Sequence, residues 1–216
     1  MARPTRKSPE RGDARTRLLE AARDIIREKG FADTSVDDLC RAAGVTKGAF
    51  FHHFAGKQAL GVAAANFWAE TTTAFFAAAP YHEPTDPLER MFAYIAFRRS
   101  IIEGDIAGFT CLVGTMASEV HTSAPDIRDA CGESIFGHAA TLEADIAAAM
   151  EARGINEPSA ASLARHTQAV IQGAFVLAKA GNDPALARES LDHLERYFRM
   201  LFNCREEDPN DDHHPA

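Results

Sequence analysis

Residues 35–54 read S-V-D-D-L-C-R-A-A-G-V-T-K-G-A-F-F-H-H-F, and their spacing writes two short helices on either side of one glycine. Thr34 and Ser35 can cap the first helix, which puts Asp37 or Asp38 three residues on, near its positive end. Val36, Leu39, Cys40 and Ala43 share one face at helical spacing. Gly44 follows, where a turn needing positive φ is cheapest without a Cβ. Thr46 caps the second helix. Its Phe50 and Phe54 lie four apart on one face and leave Lys47, Gly48, Phe51 and His53 on the other. Two helices crossing steeply need a small side chain where their backbones approach, and Cys40, four residues before Gly44, fits that place. The stretch reads as a helix-turn-helix; an ordinary αα-hairpin is the alternative.

Upstream, residues 16–29 form an amphipathic helix with Leu18, Leu19, Ala22, Ile25 and Ile26 inward, followed by G-F-A-D-T. From Arg17-Leu18-Leu19 through Ala22, Gly30-Phe31, Thr34-Ser35-Val36 and Ala43-Gly44-Val45-Thr46-Lys47-Gly48 to Phe50-Phe51-His52-His53-Phe54 and Lys57, the sequence resembles the TetR family of bacterial transcriptional regulators. The match covers about a quarter of the chain. It implies a dimeric DNA-binding regulator, usually a repressor, with a helix-turn-helix head and a helical ligand-binding body.

The rest of the 216 residues agrees with an all-α class. Ala and Leu are abundant, and β-branched runs are few. About nine helices are expected, in an N-terminal three-helix DNA-binding domain and a C-terminal ligand-binding and dimerisation domain. The boundaries read as a disordered basic arm over 1–12, the helix-turn-helix domain over 13–57 with its recognition helix at 46–53, the effector-binding and dimerisation domain over 58–204, and a disordered acidic tail over 205–216. Longer helices are expected over 56–79, 87–103, 125–153, 159–180 and 184–203, with a Pro-rich hinge at 80–87 and a short apolar segment, G-F-T-C-L-V-G-T-M-A-S-E-V, at 108–120.

Net charge is −8, which alone argues against a nucleic-acid partner. The charge is unevenly placed. Residues 1–57 hold twelve Lys and Arg against eight Asp and Glu, so a modestly basic head precedes a body of net −12. Such a chain offers one end to phosphates. No stretch of 18 uncharged apolar residues occurs, and no apolar segment follows the N-terminal basic residues, so neither a membrane span nor a secretory signal is expected. Cys40, Cys111, Cys131 and Cys204 show no C-x-x-C spacing and fit free thiols in a reducing cytoplasm.

Enzyme templates are absent: no G-x-S-x-G, G-x-x-x-x-G-K, G-x-G-x-x-G or H-E-x-x-H occurs, and no histidine pair has metal-ligand spacing. No cofactor, metal or catalytic residue is assigned. A helix lying in the major groove would present Lys47 to a phosphate or a guanine edge, while Gly48 lets the backbone come close. The resemblance implies phosphate contacts for Thr34, Ser35, Thr46, His53 and Lys57. Family members usually carry Tyr where Phe51 stands, and the missing hydroxyl would cost about 0.5–1.5 kcal/mol of phosphate-directed affinity.

The body supplies candidate effector contacts: Phe67, Trp68, Phe97, Phe109, Cys111, Met116, Glu119, His121, His138 and Phe175. Their aromatic character favours a small hydrophobic or aromatic ligand. Ordinary core packing is the alternative for each apolar member. Cys111 also admits a thiol sensor of electrophiles or oxidants. The resemblance implies that the last two helices pair with a second copy, which makes Ala164, Gly173, Ala174, Ala178, Leu191, Leu194, Phe198 and Leu201 dimer candidates; an intramolecular core is the alternative. A helical enzyme or small-molecule carrier with a vestigial helix-turn-helix is the reading from another class.

Overall fold

The computed structural model describes residues 13–204, so the expected arm and tail lie outside the described residues. Those residues form ten α-helices and no strand. They are α1 (Ala14–Lys29), α2 (Val36–Ala43), α3 (Lys47–His53), α4 (Lys57–Ala77), α5 (Pro87–Ser100), α6 (Ile106–Phe109), α7 (Leu112–Val120), α8 (Pro125–Ala152), α9 (Ala160–Gly181) and α10 (Pro184–Leu201), with a 3₁₀ turn at Pro80–His82.

Local chemistry sets most of the ends. Asp13 caps α1 by accepting the Thr16 N–H at 2.8 Å. Ser35 and Asp38 form a reciprocal capping box on α2. The Asp38 carboxyl is held well below its ordinary range, first by the Lys29 ammonium and then by Ser35. Gly44 ends α2 in the left-handed region at φ +62°. Thr46 caps α3 through the Ala49 N–H. Pro at the first position opens α5 and α10, where Asp86 and Asp183 cap the ends.

Two stretches differ from expectation. The apolar segment at 108–120 is two helices, because Thr110 and Cys111 take extended backbone between α6 and α7. Cys111 is the N-cap of α7, its sulfur accepting the Gly114 N–H at 3.4 Å. The helix after the hinge stops at Ser100, short of residue 103, and Gly104 turns the chain with positive φ.

The chain divides into two compact units. Among the described residues, the first joins those up to Ala79 with Glu103–His138; the second joins Pro80–Ile102 with those from Ala139 onward. The packing therefore divides elsewhere than at 57. Leu60, Ala64 and Ala65 of α4, with Leu112, Val113 and Met116 of α7, share a core with Leu18, Ile26, Leu39 and Phe50 of the first three helices. Hydrophobic burial does not respect the sequence limits of a motif.

In the second unit α9 and α10 pack along each other, and α10 also packs on α5. Ala164, Ala174, Ala178, Leu191, Leu194 and Phe198, all put forward as dimer contacts, are buried within the single chain. They lie where α9 and α10 approach each other within the chain. Gly173 is exposed and Leu201 half-buried. Tyr94, fully buried, keeps its hydroxyl satisfied by the Gln168 amide at 3.0 Å.

Two glycines test this packing against helix propensity. A Cβ on Gly61 would lie 2.7 Å from Ile127 Cδ1 and 2.9 Å from the buried Phe31 ring, whereas one on Gly137 meets nothing. Gly137→Ala is expected to stabilise by about 0.5–1 kcal/mol in urea unfolding. Gly61→Ala, with the same propensity gain, is expected to destabilise, because overpacking costs about 1–3 kcal/mol.

Candidate nucleic-acid interface

The reading surface is built on α1. Its inward residues Leu18, Leu19, Ala22 and Ile26 meet Leu39 and Cys40 of α2 and Phe50 of α3, all buried. Arg17 on α1 reaches across, donating from Nη1 to the Ala43 carbonyl at 2.9 Å and the Gly44 carbonyl at 3.3 Å. It thereby satisfies carbonyls that the end of α2 leaves open. With Phe50 and Phe54 turned inward, α3 faces solvent with Lys47, Gly48 and Phe51, the last 57% exposed.

The predicted contact residues separate into outward and inward sets. Thr46 is exposed; its oxygen accepts the Ala49 N–H, and that bond leaves the hydroxyl hydrogen available to an acceptor. Lys47 is exposed and ion-paired with Asp37 of α2 at 2.8 Å, which holds its ammonium above the usual lysine value. No atom crowds the outer side of Gly48 closer than 3.7 Å, so a ligand backbone can come near. Phe51 rests edge-on against Phe50 at 5.2 Å. His53 is half-buried, 5.0 Å from the exposed His52 ring.

Three of the predicted contact residues have partners within the protein. Thr34 is fully buried, and its hydroxyl donates to the Gly30 carbonyl at 2.6 Å, so it closes a turn instead of facing phosphate. The Ser35 hydroxyl is engaged in the capping box, donating to Asp38 at 2.7 Å. The half-buried Lys57 places its ammonium on the Ala32 carbonyl at 2.9 Å and over the Phe31 ring at 4.6 Å. Burial lowers its proton affinity. Thr34 and Lys57 have their partners in the turn between α1 and α2, and Ser35 has its partner in the first turn of α2. The sequence reading gave no interface role to Arg15, which lies over the Phe54 ring, to the exposed Arg41, or to Arg17 and Asp37.

The candidate effector residues do not form one group. Phe97 and Phe175 belong to the second unit, where Phe97 lies 5.8 Å from the Tyr81 ring and Phe175 lies under the Arg98 guanidinium. The others belong to the first unit. Met116 is fully buried core. Phe67, Trp68 and Cys111 are half-buried against that core, with the Arg27 guanidinium 5.3 Å from the Trp68 ring. Phe109 is half-buried, His138 lies 4.5 Å from Phe76, and His121 is exposed. Glu119 is directed to the head, where its carboxylate accepts the Ala32 N–H. A groove of about 390 Å³ does open in this unit, between the turns leading into α4 and α8; Gly56, Ala59, Val62, Ala124, Pro125 and Ile127 line it, and no candidate effector residue does.

Among the described residues no cluster of three His, Cys, Asp or Glu is placed to hold a metal, and no helix is long and apolar enough to cross a membrane.

Residues 18–64 match the family described as bacterial regulatory proteins, tetR family, and residues 87–191 match the LmrA/YxaF-like transcriptional regulator C-terminal domain. The HTH-type transcriptional regulator LmrA of Bacillus subtilis is 28% identical over 170 residues, spanning 77% of this chain and 86% of that protein. A TetR-family regulator structure from Agrobacterium tumefaciens superimposes with a TM-score of 0.74 at 22% identity, covering 85% of this chain and 96% of the other. A TetR regulator from Chloroflexus aurantiacus gives 0.73 at 25% identity, covering 88% and 96%. Head geometry, both matched segments and the shared fold agree, and the chain belongs to the TetR family of DNA-binding transcriptional regulators.

Proposed function

We propose that the protein is a dimeric repressor that binds a palindromic operator through α3 and leaves it when a small, hydrophobic or aromatic effector binds in the C-terminal part. The observation that carries the DNA reading is the outward face of α3. Thr46, Lys47, Gly48 and Phe51 face solvent from a helix whose other side is anchored by the fully buried Phe50. Lys47 supplies the charge, Thr46 a hydroxyl, Gly48 close approach and Phe51 an apolar plate for a thymine methyl. Such a regulator works beside the chromosome, in the cytoplasm.

Dimerisation through the last two helices is supported by residues other than those first put forward. Val176 and Leu177 on α9 and Tyr197 and Met200 on α10 are large apolar side chains left exposed, Met200 at 78% and Val176 at 62%. A second copy covering them would set two α3 helices on half-sites about 34–36 Å apart or slightly more. The effector reading draws on the half-buried Phe67, Trp68 and Phe109. A ligand can shift the DNA-binding equilibrium only by its differential affinity for the two states. Cys111 is occupied as a helix cap, and the neighbouring Cys131 thiol is pushed up to about 12 by burial, which favours packing over thiol sensing.

Binding to a duplex recovered by selection from genomic fragments, followed by fluorescence anisotropy at several salt concentrations, checks the α3 face. Lys47→Ala is expected to weaken binding and to lower the slope of log affinity on log salt by about one. Asp37→Asn, which frees Lys47 and removes a charge that repels phosphate, is expected to tighten binding about two- to fivefold at low salt and less at high salt. Unchanged affinity in both variants would contradict the assignment. Phe51→Tyr restores a phosphate donor and is expected to gain about 0.5–1.5 kcal/mol in the same assay. For the dimer face, Met200→Asp is expected to move the sedimentation coefficient from dimer to monomer; a dimer indifferent to this change would rule the face out.

A further inference from the structure

The turn between α1 and α2 is held by groups far from it in sequence. The Glu119 carboxylate on α7 accepts the Ala32 N–H at 2.8 Å, and the Lys57 ammonium on α4 donates to the Ala32 carbonyl at 2.9 Å. Both polar backbone groups of one residue are therefore gripped, each by a charged side chain from a different helix. Charge-assisted bonds of this kind are stronger than neutral ones and fix direction as well as distance.

The surrounding residues fit the arrangement. Gly30 has φ +91°, and a Cβ there would collide with Glu119 Oε1, so the glycine both makes the turn and admits the carboxylate. Thr34 ties the turn from inside through the Gly30 carbonyl, and the next residue, Ser35, opens α2. No slack segment separates Ala32 from the first turn of α2. On the same end of α1, Arg27 donates to the Gly108 carbonyl of α6 at 2.8 Å. The Glu119 charge also acts on the Lys57 ammonium against the effect of its burial. Glu119 belongs to the segment matched to the C-terminal regulatory domain, whereas Ala32 and Lys57 belong to the segment matched to the DNA-binding family, yet all three lie in one compact unit.

We infer that Glu119 is a positioning residue for DNA reading: its carboxylate, bound to the Ala32 N–H, sets the α1–α2 turn and through it the placement of α2 and α3. A change in the position of α7 then reaches the reading helices through this bond as well as through the shared core. The inference rests on the DNA-binding function of the chain. It requires an acceptor at the Glu119 position, and it does not require the negative charge.

The full-length chain and two variants, Glu119→Ala and Glu119→Gln, decide it, with amide hydrogen exchange and anisotropy on the selected duplex as readouts. Glu119→Ala is expected to speed exchange of the Ala32 amide about tenfold or more while leaving amides of α9 and α10 at wild-type rates. The same variant is expected to lose about three- to tenfold in DNA affinity. Glu119→Gln, whose amide oxygen still accepts the Ala32 N–H, is expected to return both readouts to within about twofold of wild type. A merely structural residue would not show rescue by the neutral acceptor together with a local exchange effect. Wild-type DNA affinity in Glu119→Ala, or a Gln variant as impaired as the Ala variant, would overturn the inference. A wild-type chain that retains no duplex overturns the DNA-binding reading itself, an outcome separate from both of these.

Discussion

The burial of Phe50 is the constraint on which the rest depends. α3 has seven residues, far below the length at which a helix holds itself in water, so its order comes from outside. Phe50 is fully buried among α1 and α2, Phe54 follows it inward, and Thr46 caps the first turn. Those contacts fix the rotation of α3 about its own axis. Once that rotation is set, the outward face can only be Lys47, Gly48 and Phe51. The reading surface is thus a consequence of packing, and the side chains on it are free to vary without endangering the fold.

Around that anchor the head is tied by single polar bonds at chain ends. Arg17 closes the end of α2, the Ser35–Asp38 box opens it, and Ala32 is gripped from α4 and α7. Each bond satisfies a backbone group that a short helix or a tight turn leaves open. Electrostatics then acts on a prepared scaffold. Asp37 and Asp38 draw Lys47, Lys29 and Arg41 to themselves, so the basic excess of the head is partly neutralised before any phosphate arrives. Phosphate must compete with these carboxylates for the same cations, and because salt weakens the internal pairs as well, the competition blunts the dependence of binding on salt.

What could be read from the sequence was what local chemistry decides. The caps at Ser35 and Thr46, the positive-φ turn at Gly44, Pro87 and Pro184 at helix starts, and the inward faces of α1 to α3 all follow from neighbours within four residues. Partners distant in sequence were not legible. Thr34, Lys57 and Glu119 look like polar residues available to ligands, and only the tertiary fold brings them to one turn. The same limit applies to the last two helices. Helical spacing identifies Leu191, Leu194 and Phe198 as one apolar face, but it cannot say whether that face meets α9 of the same chain or a second copy; the structure buries it within the chain and leaves Val176 and Met200 outside. The effector candidates divide between the two units for a related reason, since aromatic composition carries no information about which unit a residue joins.

The central claim is that the outer face of α3 reads DNA in the major groove, and groove-resolved footprinting on fragments selected from the genome tests it most directly. The account predicts two patches of protected guanine N7 positions, related by a pseudo-dyad and about one helical turn apart or slightly more. Fragments retained without any major-groove protection, or none retained at low salt, would contradict it.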